Sequence, residues 1–298
     1  MSLPTATLGR TGETVTKLGY GAMELRRDVE PAAADRLLNS VLDAGINVID
    51  TSPDYGESEE HIGRAISHRR GEYFLASKCG CLVGDQAPAR PGPQSHVFTR
   101  ENVRAGVEQS LRRLRTDHLD LVQFHASPSP ETLAEHDAVA ELVALRDEGK
   151  IRFLGMSGTL PNLPGQIAMG VFDAFQIPYS AVEREHEALI TEAAHAGAGT
   201  IIRGGVARGL AEAPAEMPEQ YRQAIEARRE RFARVDVSDL LGDMTPMELM
   251  LRFTISHPDL HTTIVGTKNP DHFAANVAAA AKGPLPADLY EAMKQRFS

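Results

Sequence analysis

Four residues with ionisable side chains suited to acid–base chemistry occur in this order along the chain: Asp50, Tyr55, Lys78 and His125. A lysine ammonium beside a tyrosine hydroxyl favours the phenolate, and an aspartate can hold that lysine by an ion pair. We expect the pair to lower the pKa of Tyr55 from about 10 towards neutrality, so that it donates a proton near pH 7. A neighbouring histidine can orient a carbonyl oxygen by a hydrogen bond. This chemistry is proton delivery to a carbonyl group that receives a hydride.

Polar residues end six of the predicted strands. They are Asp50, Lys78, His125, Ser157, Gln176 and Arg203. A single polar residue in this place is often only the N-cap of the next helix. Six such residues exceed what capping requires. If the strands are parallel, their C-terminal ends meet at one edge, and we expect these side chains to face one cavity.

Short apolar runs alternate with longer amphipathic stretches along the whole sequence. The spacing predicts strands near 14–22, 46–49, 73–76, 119–124, 151–155, 171–175, 200–202 and 262–265. Helices are predicted near 31–44, 61–69, 103–114, 130–149, 183–196, 247–256 and 271–281. Ser129-Pro130 and Thr245-Pro246 are N-cap and N1 signals at two of these helices.

About eight strand-then-helix units predict an α/β protein with a parallel sheet. Eight units in 298 residues favour a closed (β/α)8 TIM barrel, with its active site at the C-terminal mouth. No G-x-G-x-x-G follows the first strand, which argues against a Rossmann nucleotide site. We expect one domain over 1–298, with the long loops 80–98 and 204–244 lying over the mouth.

The composition is that of an ordinary globular protein, with 42% hydrophobic and 24% charged residues. The net charge of −10 argues against nucleic acid and anionic membrane surfaces as partners. No apolar run reaches the ~18 residues of a membrane helix, and the N-terminus lacks the features of a signal peptide. We therefore expect a cytoplasmic protein that acts on a small molecule as a monomer or small homo-oligomer.

The only two cysteines are Cys79 and Cys81, separated by Gly80. Thiols this close rarely meet disulfide geometry, and no His or Cys spacing in the sequence completes a zinc set. We therefore expect two free structural thiols and no metal.

The motifs around these residues resemble the aldo-keto reductase superfamily over essentially the whole chain. The matching stretches are DTSPDYGESEEHIG (50–63), LASK (75–78), LDLVQFH (119–125), GKIRFLGMSG (149–158), FQIPYS (175–180) and IVGTKNPDHFAAN (264–276). The first three contain the catalytic tetrad of that family. The resemblance implies that Tyr55 is the general acid, that Lys78 and Asp50 tune it, and that His125 positions the carbonyl.

The resemblance also implies a nicotinamide cofactor bound in an extended pose. Ser157 and Gln176 would hold the carboxamide, and Asp50 would lie near the ribose. The other implied contacts are Gly21, Ala22 and Met23 in the first-strand loop, Gly266, Thr267, Lys268 and His272 near phosphate, and Asn276 at adenine. Glu59 either contacts cofactor or caps a helix.

Three features depart from the family pattern. Arg203 stands where many relatives stack an aromatic ring on the nicotinamide, and we expect it to contact the cofactor. His272 replaces an arginine that faces the 2′-phosphate in many relatives, which leaves Thr267 and Lys268 to favour NADPH over NADH. The chain has no Trp to line the substrate pocket.

The sequence therefore predicts an NADPH-preferring reductase of aldehydes or ketones. Two alternatives remain open. One is a cofactor-binding regulatory subunit or redox sensor on the same barrel, as the potassium-channel β subunits of the superfamily are. The other is a barrel lyase in which Lys78 forms a Schiff base.

Overall fold

A computed structural model describes residues 2–26, 29–84, 96–206 and 219–297. Its strands are β1 Thr5–Thr7, β2 Thr14–Thr16, β3 Leu18–Gly21, β4 Val48–Asp50, β5 Phe74–Cys79, β6 Leu119–Phe124, β7 Ile151–Ser157, β8 Ala174–Pro178, β9 Gly199–Arg203 and β10 Thr262–Val265. Strands β3 to β10 form a closed barrel in sequence order, and β10 pairs in parallel with both β9 and β3. The predicted (β/α)8 barrel is confirmed.

Helices cover the outside of the barrel. The α-helices are α1 Pro31–Asp43, α2 Ser58–Ile66, α3 Arg100–Leu114, α4 Pro130–Glu135, α5 Ala138–Asp147, α6 Leu163–Ala168, α7 Glu187–His195, α8 Glu219–Arg234, α9 Ser238–Leu241, α10 Pro246–Ile255, α11 Pro270–Ala281 and α12 Ala287–Arg296. The Thr245 and Ser129 side chains cap α10 and α4 as the sequence predicts. None of these helices is both long and apolar enough to cross a membrane, as far as the described residues extend.

An antiparallel hairpin of β1 and β2 lies against the N-terminal end of the barrel. Its Leu8 and Val15 are fully buried and belong to one cluster with buried barrel residues from five strands, among them Val48, Leu121 and Ile201. Gly9 touches the start of β9 so closely that a Cβ there would lie 2.3 Å from the nitrogen of Gly199. The interior of the barrel is therefore filled with apolar side chains at this end.

Several predicted elements are corrected by the structure. The single helix predicted over 130–149 is two helices, because Asp137 takes a left-handed conformation with φ 49° between α4 and α5. Strand β8 is shifted towards the C-terminus of its predicted range, and α7 is shorter than predicted. The β1–β2 hairpin, α6 and α12 were not predicted from the sequence.

The two loops predicted to lie over the mouth are only partly described. Residues 85–95 and 207–218 lie outside the described residues. The remainder of 80–98 contains an isolated bridge between Cys81 and His96, and the remainder of 204–244 contains α8 and α9.

Candidate active site

A buried ion pair lies where β4 and β5 end. Parallel pairing of β4 with β5 brings Asp50 and Lys78 to neighbouring strand ends, and Lys78 Nζ donates to Asp50 Oδ1 at 2.7 Å. The same Nζ donates to the carbonyl oxygen of Thr51 at 2.8 Å. Burial alone would lower the pKa of Lys78, but Asp50 and Tyr55 more than offset it and the pKa is raised. An ammonium held protonated in this way is poorly suited to form a Schiff base.

The second oxygen of Asp50 is held by two amides from across the barrel. Gln123 Nε2 in β6 and Gln176 Nε2 in β8 donate to Asp50 Oδ2 at 2.9 Å and 2.8 Å. Charge-assisted hydrogen bonds of this kind fix a carboxylate in position. Gln176 was among the residues predicted from the sequence, but Gln123 was not; its signal was a glutamine next to the apolar Val122 and Phe124 in a fully buried strand.

Tyr55 lies in the loop between β4 and α2, next to the ion pair. Its ring centroid is 4.9 Å from Lys78 Nζ and 6.0 Å from the ring of His125, which meets it edge-on. Burial is the largest influence on Tyr55 and raises its pKa, while Lys78 acts to lower it. The expected net decrease in this pKa is therefore wrong, because burial outweighs the effect of Lys78. The hydroxyl keeps its proton at neutral pH.

His125 follows β6 directly, and its backbone N–H donates to the carbonyl of Cys79 at 3.0 Å. Burial lowers the pKa of His125, so its imidazole is neutral at pH 7. Its Nδ1 faces Cys81 Sγ at 3.3 Å, His96 Nε2 at 3.3 Å and Asp54 Oδ2 at 3.5 Å. Residue spacing did not indicate this cluster, because its members come from three separate segments: the loop after β4, the loop after β5 and the end of β6.

The remaining strand-end residues lie on the same rim. Ser157 and Gln176 are register partners on β7 and β8, and both are buried. Arg203 ends β9, where its carbonyl accepts from the N–H of Tyr179 at 3.2 Å. Burial dominates the pKa values of Tyr55 and His125, and the charge of Arg203 is among the smaller influences that lower both.

The residues expected to bind cofactor extend along β3, β10 and α11. Gly21 ends β3, and Ala22 and Met23 begin the 3-10 helix Ala22–Arg26. Gly266 packs against this loop so closely that a Cβ would lie 2.3 Å from the carbonyl oxygen of Gly21. The carbonyl of Thr267 accepts from the Tyr20 hydroxyl at 2.9 Å.

The segment that begins α11 presents exposed polar groups. Lys268 and His272 are exposed, and Asn276 is half-buried. Asn269 caps the helix, and its Oδ1 accepts from the N–H groups of Asp271 at 2.8 Å and His272 at 3.3 Å. The segment between β10 and α11 and the end of β3, which carry expected cofactor residues, are therefore in contact.

The chain belongs to the aldo/keto reductase family, whose sequence model matches residues 17–296. Members of this family are oxidoreductases that use nicotinamide cofactors, and carbonyl reduction is their general reaction.

Several relatives match nearly the whole chain. An uncharacterized oxidoreductase, YqkF of Bacillus subtilis, is 25% identical over 96% of this chain and 94% of its own length. L-galactose dehydrogenase of Arabidopsis thaliana is 28% identical over 92% of this chain and 87% of its own. The holo form of aldo-keto reductase AKR11C1 from Bacillus halodurans is structurally similar, with a TM-score of 0.83 and 26% identity over 99% of this chain and 96% of that one.

Glu59 is a second buried acid close to the ion pair. It lies in the first turn of α2, is fully buried, and accepts a hydrogen bond from Ser77 Oγ at 2.8 Å. Arg113 lies 3.7 Å from its other oxygen. Burial raises the pKa of Glu59 to about 7, with Ser110, Ser77 and Arg113 acting in the opposite direction.

Glu59 should therefore make stability depend on pH. Between the unfolded value of 4.5 and about 7 the folded chain binds more protons, so the free energy of unfolding falls as pH rises. In Glu59→Gln this loss should be absent, and its stability relative to wild type should improve by roughly 2–3 kcal/mol between about pH 5 and pH 8. Urea denaturation at both pH values measures the difference. Equal pH profiles for the two proteins would contradict the assignment.

Proposed function

We propose that the protein reduces an aldehyde or ketone to an alcohol with NADPH, and that Tyr55 is the general acid. The observation that carries this proposal is the position of Lys78 Nζ, 2.7 Å from Asp50 Oδ1 and 4.9 Å from the centre of the Tyr55 ring. A buried cation held beside a phenol stabilises the phenolate that remains after proton transfer.

Each member of the tetrad then has a separate task. Tyr55 donates its proton to the carbonyl oxygen, and the charge of Lys78 stabilises the tyrosinate. Asp50 keeps Lys78 in place and protonated. The neutral imidazole of His125 orients the carbonyl oxygen by a hydrogen bond.

The donor groups along the rim fit a nicotinamide cofactor, which supplies the hydride when bound. Buried Ser157 and Gln176 offer a hydroxyl and an amide suited to a carboxamide. The exposed Lys268 and the segment that starts α11 suit phosphate, because cations and helix N-termini attract anions. Gly21, Ala22 and Met23 would lie along the cofactor between these ends.

The preference for NADPH depends on few groups. We assign the 2′-phosphate to Thr267 and Lys268, with His272 and Asn276 beside the adenosine. Since His272 replaces the usual arginine, NADH should also be accepted, with lower affinity.

The proposed substrates are aldehydes and ketones in general. The Arabidopsis relative is named for L-galactose, which makes aldoses sensible members of a test panel. We propose that the predicted loops 80–98 and 204–244 border the substrate pocket of a single barrel domain.

Replacing Tyr55 tests the acid directly. Tyr55→Phe keeps the ring but removes the hydroxyl, so kcat should fall by about 10²–10⁴ while the Kd for NADPH stays unchanged. NADPH oxidation with a panel of aldehydes, ketones and aldoses measures kcat, and fluorescence titration measures the Kd for NADPH. Wild-type turnover by Tyr55→Phe would remove Tyr55 from the mechanism. Tight NADPH binding by a wild-type protein that turns over nothing in the panel would favour the regulatory subunit.

Arg203 should contact the cofactor. If its guanidinium binds the pyrophosphate, Arg203→Ala should weaken NADPH binding by roughly 1.5–3 kcal/mol, the scale of a charge-assisted hydrogen bond. The loss should shrink as salt rises. Fluorescence titrations at two ionic strengths measure both. An unchanged Kd together with a higher KM for acidic substrates alone would assign Arg203 to the substrate instead.

A further inference from the structure

Four side chains that bind transition metals converge beside the tetrad. They are Asp54, Cys81, His96 and His125, here called the His-Cys cluster, and their ligand atoms all lie within 4.8 Å of one another. Cys81 is buried, and the side chains of His96, Asp54 and His125 are 9%, 11% and 18% exposed. The cluster is therefore largely shielded from solvent, and His125 is its most exposed member.

The spacing within the cluster matches a tetrahedral zinc site. Bonds of about 2.0–2.3 Å from zinc to nitrogen, oxygen and sulfur place neighbouring ligand atoms ~3.3–3.8 Å apart. Nδ1 of His125 lies 3.3 Å from Cys81 Sγ and 3.3 Å from His96 Nε2. Asp54 Oδ2 lies 3.5 Å from that Nδ1 and 3.7 Å from His96 Nε2. Four of the six edges of the tetrahedron thus already have the required length.

We propose that the His-Cys cluster is a Zn²⁺ site in which each of its four residues supplies one ligand. A thiolate and two imidazoles select zinc over magnesium or calcium, which prefer oxygen. Binding forms the bond from zinc to Cys81 Sγ and releases the thiol proton to solvent. The charges then balance, since a divalent cation faces one thiolate and one carboxylate.

The surrounding backbone holds the ligands in place. Cys81 and His96 are opposite partners of an antiparallel bridge, and Asn102 Nδ2 donates to the carbonyls of Cys81 and Val97 at 3.1 Å and 2.7 Å. Ser52 Oγ donates to Asp54 Oδ1 at 2.6 Å, which leaves Oδ2 for the cluster. Hydrogen bonds of this kind to the outer atoms of ligands are typical of metal sites.

The outer ring nitrogen of His96, Nδ1, is buried and has no hydrogen-bond partner among the residues that the structure describes. With Nε2 bound to zinc, this nitrogen would carry the proton and could donate it to water or a ligand in the mouth.

Zinc in this site would also influence the role of His125 in the proposed reaction. Zinc on Nδ1 of His125 leaves the proton of the neutral imidazole on Nε2, the form that donates a hydrogen bond to a carbonyl oxygen. This consequence rests on the proposed function, whereas metal binding does not.

Metal binding by the purified protein tests the proposal. The protein is stripped with a chelator and titrated with Zn²⁺ by calorimetry, and with Co²⁺ by absorption spectroscopy. We expect one zinc per chain, a higher Tm with zinc, and a near-ultraviolet band from thiolate bonded to cobalt. Affinity should rise with pH, because the metal displaces the thiol proton.

Substitutions assign the ligands. His96→Ala and Cys81→Ser should each weaken zinc binding by at least about 100-fold, and Cys81→Ser should abolish the cobalt–thiolate band. Cys79→Ala is the matched control, since Cys79 is a buried free thiol two residues away but outside the cluster. Circular dichroism shows whether each variant is folded.

Two results would overturn the proposal. The first is failure of folded wild-type protein to bind one zinc, which would leave the cluster as a hydrogen-bond network around His125. The second is zinc binding and a cobalt band that survive in folded Cys81→Ser and His96→Ala, or a band that disappears in Cys79→Ala instead.

Discussion

The buried pair of Asp50 and Lys78 is the interaction on which the rest of the site depends. Both side chains are almost fully removed from solvent, and an uncompensated charge there would cost on the order of 3–5 kcal/mol. Asp50 meets this demand with both oxygens, one on Lys78 and the other on the amides of Gln123 and Gln176. Side chains from three barrel strands thus converge on the carboxylate of a fourth, and Tyr55 lies against the lysine ammonium that this carboxylate holds.

The closed barrel makes this convergence possible. Inside the barrel, the N-terminal end is filled by apolar side chains under the β1–β2 hairpin, and the buried pair of Asp50 and Lys78 lies at the opposite end, where the strands end at the mouth. Burial at that end shifts two pKa values in opposite directions. It raises the pKa of Tyr55, which keeps the proton available, and it lowers the pKa of His125, which keeps the imidazole neutral.

Much of this arrangement could be predicted from the sequence, because βα alternation fixes which residues end parallel strands. Asp50, Lys78 and His125 follow from that rule, and Tyr55 from its motif. What the sequence could not supply depends on contacts between distant segments. Gln123 looked like one residue of a buried strand, and the loop that contains Cys81 and His96 is well separated along the chain from Asp54 and His125. The break at Asp137 and the net direction of the Tyr55 pKa likewise depend on tertiary packing, which outweighs local pattern.

A double-mutant cycle on the ion pair tests the central claim, that Asp50 acts through Lys78. Rates of carbonyl reduction would be compared for wild type, Asp50→Asn, Lys78→Met and the double variant, with Tm as a check on folding. If Asp50 serves only to hold Lys78, the double variant should be no slower than Lys78→Met, and the coupling energy should be well above ~0.5 kcal/mol. If the rate losses of the two single variants multiply in the double variant, the two residues act independently, and this result would contradict the account.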